Sequence, residues 1–211
     1  RIRNLSLKQR IVATFDSENY LCTNTLRIGI PKINVDINLK NILGVLNSRL
    51  INYVFLKFFL NKDIYAYQLQ LIPVCQFDSF DLVDKIELML ELKKEINFVS
   101  LKFQNYLKQK FQLEKLSKKL QNWQDLEFGD FIKELNKAIK TSNKQRLKES
   151  LQEVPILTKK DEFEWLDLFE ENKQKAQALQ TQINQTDRGI DQMVYELYGL
   201  TEDEIKIVEN S

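Results

Sequence analysis

The sequence predicts an α+β chain: a small mixed α/β domain over residues 1–76, then a mainly α-helical region over 77–211 with a long antiparallel helix pair. Three observations predict it. β-branched residues concentrate before residue 31. Apolar spacing changes to threes and fours after residue 38. Two late segments hold that spacing for many turns.

Residues 9–15 (QRIVATF) and 20–30 (YLCTNTLRIGI) read as strands, with Asp16, Ser17, Glu18 and Asn19 as the turn between them. Gly29 and Pro31 stop the second run. Asn38 caps one helix whose Leu39, Ile42, Leu43, Leu46, Leu50, Val54 and Phe58 recur at helical spacing. Residues 67–74 (YQLQLIPV) read as a further strand ended by Pro73. From Phe80 a seam of Leu82, Ile86, Met89, Leu92, Ile96, Val99, Phe103 and Tyr106 predicts a long helix. A second begins near Asp161, with Trp165, Leu168, Ala176, Leu179, Ile183, Ile190, Met193 and Leu197 on its seam. Shorter amphipathic helices fill the interval, and the polar stretch 140–148 reads as a loop. Gly199 supplies a left-handed cap, and Thr201 with Glu204 forms a capping box. Trp123, Trp165, Tyr195 and Tyr198 fall on apolar helix faces and read as core.

Net charge is +1, but residues 1–76 hold ten Lys/Arg against four Asp/Glu, leaving twenty-one against twenty-six for 77–211. That asymmetry suggests a polyanionic partner for the first part. The chain has no histidine, which excludes imidazole-based catalysis, and its five glycines form no phosphate cradle. Cys22 and Cys75 read as two reduced, buried thiols of a cytoplasmic protein. The apolar run 50–60 is too short to span a bilayer, so no membrane partner is expected. Glu91 and Lys93 make a Glu-x-Lys string, but mid-helix among other charges it reads as solvated surface. The residues do not support a self-contained enzyme. Arg1 opens the sequence, so a longer parent is expected.

Residues 185–209 read QTDRGIDQMVYELYGLTEDEIKIVE. This resembles the C-terminal end of type IIG restriction–modification enzymes and related adenine-specific DNA methyltransferases. Residues 10–16 (RIVATFD), Tyr20, Asn24-Thr25, residues 43–52 (LGVLNSRLIN) and 72–74 (IPV) resemble the TaqI-like C-terminal specificity domain of the same enzymes. The resemblance implies a target-recognition domain over 1–76 and a helical support over 77–211. It also implies double-stranded DNA and an upstream methyltransferase domain of the same polypeptide as partners. S-adenosylmethionine and a divalent metal are implied for upstream domains only, with no cofactor expected in these residues.

DNA reading needs cations for phosphates and forked polar groups for base edges. Lys8, Gln9, Arg10, Arg27 and Lys32 are candidates in the basic segment. Lys62, Tyr65 and Gln68 are candidates in a polar–aromatic stretch, where a loop could enter a groove. Arg49, in the Asn47-Ser48-Arg49 element placed mid-helix, could reach phosphate or close a salt bridge. Each also reads as an ordinary surface or packing residue. Two other functions stay open: a helical module that docks another protein, and a specificity-type subunit without its second recognition domain.

Overall fold

A computed structural model describes residues 9–18, 20–23, 26–31, 38–59, 64–74 and 79–210. Its chain clusters into two units: Arg1–Leu90 with Gln185–Ser211, and Glu91–Asn184. The second unit is therefore inserted between the two parts of the first. Every regular element among the described residues is helical, so the expected α+β class gives way to an all-α one.

The first unit holds α1 (Leu39–Asn47), α2 (Arg49–Phe58), α3 (Ala66–Gln70) and the beginning of α4 (Phe80–Phe111). The single helix expected after Asn38 is broken at Ser48, whose ψ of 153° is extended. The Ser48 hydroxyl donates to the Val45 carbonyl at 2.7 Å and accepts from the Ile51 amide at 3.3 Å. One side chain thus closes α1 and opens α2. At Gly44 a Cβ would lie 3.1 Å from Ile86 Cδ1 and 3.3 Å from Leu82 Cδ1, so the missing side chain lets α1 approach α4 closely. The core around this contact is mainly aliphatic: Leu43, Val45, Ile51, Ile86, Ile190 and Val194.

No strand forms at residues 9–15, at the described parts of 20–30, or at 67–74, which instead contains α3. β-branched composition reports fit to a half-buried surface, not a ladder partner. Here asparagine side chains take the ladder's place. Asn52 Oδ1 accepts from both the Arg10 and Ile11 amides at 2.7 Å. Asn47 pairs both backbone groups of Ala13, accepting its N–H at 2.9 Å and donating to its carbonyl at 3.1 Å. Four backbone groups of this segment are thus paired by helix side chains instead of by a second strand. Asp16 still shapes the chain locally, its carboxylate accepting from the Glu18 and Tyr20 amides at 2.9 Å, while Asn19, the last residue of the expected turn, lies outside the described residues.

The second unit holds the rest of α4, α5 (Lys118–Gln121), a 3-10 turn at Trp123–Asp125, α6 (Phe128–Lys148) and most of α7 (Lys159–Leu197). Within it α4 and α7 run antiparallel, as expected: Tyr106 meets Trp165, while Ile96 lies near Ala176 and Gln180. The core is aromatic. Phe103 lies 4.2 Å from Trp123, and Phe131 stacks on Phe169 at 4.6 Å between centroids. Residues 140–148, expected as a loop, continue α6. Lys, Gln and Arg are good helix formers, and Ile139 and Asn143 keep the buried face. Trp123, Trp165 and Tyr195 are buried, and Tyr198 is half-buried.

Three helices end in left-handed residues. Gln112 (φ 50°) ends α4, Ser150 (φ 58°) follows α6, and Gly199 (φ 66°) follows α7. In each, the next amide reaches back five residues: Leu113 to Lys108, Leu151 to Arg146, and Leu200 to Tyr195. Thr201 then opens α8 (Glu202–Glu209) with the expected capping box.

Candidate nucleic-acid interface

In the first unit the described residues between Tyr20 and Ile30 are exposed. Tyr20, Leu21, Leu26, Ile28 and Ile30 are each more than half exposed. Isolated exposed apolar residues are ordinary, and here five fall between Tyr20 and Ile30. Arg27, also exposed, ties this segment to the next loop: its Nε donates to the Ile64 carbonyl at 3.3 Å. The adjoining Tyr65 ring stacks on Tyr67, with centroids 5.9 Å apart and planes 16° apart. Both tyrosines are exposed. The structure thus ties Arg27 to Ile64, the residue before Tyr65, across 37 positions of sequence.

The other candidates are placed differently. Gln9 is exposed on the chain leading to Arg10. Arg10, a candidate in the basic segment, is buried, with its amide held by Asn52. Gln68 is buried as well, and its Oε1 accepts from the Tyr65 amide at 2.8 Å. It therefore sets the backbone beneath the tyrosine pair. Lys8, Lys32 and Lys62 lie outside the described residues.

Arg49 is at the start of α2, where its amide donates to Asp191 Oδ1 at 2.8 Å and its Nε lies 3.3 Å from Asp191 Oδ2. Its Nη1 also pairs with Glu209, which accepts from the Tyr195 hydroxyl at 2.7 Å. This network joins α2, α7 and α8, and the salt-bridge reading of Arg49 applies. Burial pushes the Asp191 carboxyl up to about 6, against the lowering effect of the Arg49 amide. Burial and the bond to Glu209 also raise Tyr195. Asp191 sits at the N-terminus of α2, where the helix dipole favours an anion.

Cys22 is exposed instead of buried, and Cys75 lies outside the described residues. Among the described residues, no group of three or more Cys, Asp or Glu side chains converges as a metal site would require. A cleft of about 250 Å³ in the second unit is lined partly by Glu127 and Lys173, which pair with each other at 3.0 Å. No helix among the described residues is long and apolar enough to cross a membrane.

Residues 2–74 match the TaqI-like C-terminal specificity domain, a kind of domain that recognises DNA sequence in restriction–modification enzymes. The chain belongs to the family of a domain of unknown function (DUF8810), whose model matches residues 78–194. No curated protein and no solved structure matches the chain.

The tyrosine pair and Arg27 were partly legible in sequence. Arg27 and Tyr65 stood out by residue type. The tie of Arg27 to Ile64 did not, because it is a bond to a backbone carbonyl. The exposed apolar run at 20–30 was missed, since strand-like composition reads as core.

Proposed function

We propose that the first unit reads duplex DNA and places the target for adenine methylation or cleavage by other domains of a restriction–modification enzyme. The observation that carries this reading is the specificity-domain match over residues 2–74. The exposed Arg27 and the Tyr65–Tyr67 pair fit the chemistry: a guanidinium can fork onto guanine O6 and N7, and flat rings can contact bases or a thymine methyl. Base-modifying enzymes take their target out of the stack, so the reader must hold the duplex in register with the catalytic pocket. S-adenosylmethionine and a divalent metal would be held by those other domains.

The test uses the whole parent enzyme carrying Arg27→Ala and Tyr65→Ala. Modified adenines are mapped by sequencing, and S-adenosylmethionine binding is measured in parallel. The expected result is loss or redistribution of target methylation with cofactor binding retained. An unchanged methylation pattern would contradict the proposal.

A further inference from the structure

Regrouped by compact unit, the charges differ from their order along the chain. The first unit holds thirteen Lys/Arg against fifteen Asp/Glu, and the second holds eighteen against fifteen. Within the second unit they are segregated. Helix α6 carries Lys133, Lys137, Lys140, Lys144 and Lys148, all exposed. At 100° per residue these five fall within an arc of about 80°, opposite the buried Leu135 and Ile139. The stripe runs about 22 Å along the helix at 1.5 Å per residue.

The usual solvated helix face looks different. On α7, Lys159 pairs with Glu162 and Lys175 with Glu171, as alternating charges do. Among the described residues, Lys133 alone on the α6 stripe has such a partner, Asp130 at the helix start. Lys137, Lys140, Lys144 and Lys148 make no ion pair among the described residues, and no acidic residue interrupts them on that face. Lysines four apart repel one another along a helix. The helix dipole offsets this repulsion for Lys144 and Lys148 in the last turns, but not for Lys137 or Lys140.

We propose that the α6 lysine stripe binds the phosphate backbone of duplex DNA. The helical unit would then hold the duplex without regard to sequence while the first unit reads it. The partner is DNA on charge complementarity and on the reading above, on which this inference rests. Lysine suits the task as a mobile point charge on a long stem.

The full chain is titrated onto a random-sequence 30-base-pair duplex from low to moderate salt. Wild type is compared with the triple variant Lys137→Gln, Lys140→Gln, Lys144→Gln. Each phosphate contact contributes roughly 0.9 to the slope of log affinity against log salt, so the triple variant should lose about 2.7. Its affinity near 0.1 M salt should fall at least about tenfold. A charge-matched control, Lys159→Gln, Lys160→Gln, Lys175→Gln, should keep the wild-type slope. Equal losses in both variants would assign the effect to net charge and overturn the stripe. An unchanged slope in the α6 variant, with binding still weakened by Arg27→Ala and Tyr65→Ala, would overturn the stripe and leave the first unit's role standing. No duplex binding by wild type, or preferential binding to phosphatidylserine vesicles, would overturn both.

Discussion

The two units fasten irregular chain in the same way but build their cores differently. In the first, Asn47 pairs both backbone groups of Ala13. In the second, Asn143 does so for Val154 and Asn136 for Leu157, at 2.8 to 3.2 Å. The second unit closes over an aromatic cluster of Phe103, Trp123, Phe131, Trp165 and Phe169. The first closes over aliphatic side chains and leaves five large apolar residues of one segment exposed. Both units leave large apolar side chains exposed, Phe98 and Phe163 of the second among them, so the contrast lies in the cores and in the grouping of Tyr20, Leu21, Leu26, Ile28 and Ile30 in the first.

That comparison breaks first at the aromatic core. Phe131 is fully buried between Phe103, Trp165 and Phe169. Phe131→Ala should destabilise the second unit by about 3–5 kcal/mol, read from urea denaturation. Asn52→Ala acts on the first unit instead. It strips two amides of their shared acceptor, and the loss should be about 2–4 kcal/mol. Hydrogen exchange at Arg10 and Ile11 should rise with it, while amides of the second unit keep their protection.

The Arg49–Asp191–Glu209 network gives the first unit a pH response. The folded-state pKa of Asp191 lies above the ordinary carboxyl value, so the folded chain takes up this proton first as pH falls. Its contribution to stability is therefore present at low pH and is lost as pH rises through about 6. Stability measured between pH 4 and 7 should show this step, on the order of 2 kcal/mol, and Asp191→Asn should remove it.

The smallest effects concern the helix ends. Gln112→Gly and Ser150→Gly should each stabilise by about 0.5–1 kcal/mol, because a left-handed backbone disfavours a Cβ. Gly199→Ala should lose about 1 kcal/mol from that preference alone, since a Cβ there meets nothing within 4 Å. Thermal unfolding of the three variants checks the signs.

These same residues mark how far sequence reasoning reaches. Gly199 and the Thr201–Glu204 box announced their structure, because their chemistry permits few alternatives. The long seams of α4 and α7 did too, since many turns repeat one signal. Gln112 and Ser150 gave no sign of ending a helix. The break at Ser48 depends on one hydroxyl serving two helices. Residues 9–15 misled for a related reason: their β-branched side chains suit an extended chain, but Asn47 and Asn52, more than thirty residues away, decide what pairs with it. Of the site, Arg27 and Tyr65 were legible by type, whereas Arg10 and Gln68 were not legible as buried.

The central claim is that the first unit reads DNA sequence. Its most direct test is selection from a random duplex library by the chain, with and without Arg27→Ala and Tyr65→Ala. Wild type should enrich a sequence that the double variant no longer selects, while salt-dependent binding through the second unit persists. Duplex binding by wild type with no enriched sequence would contradict it.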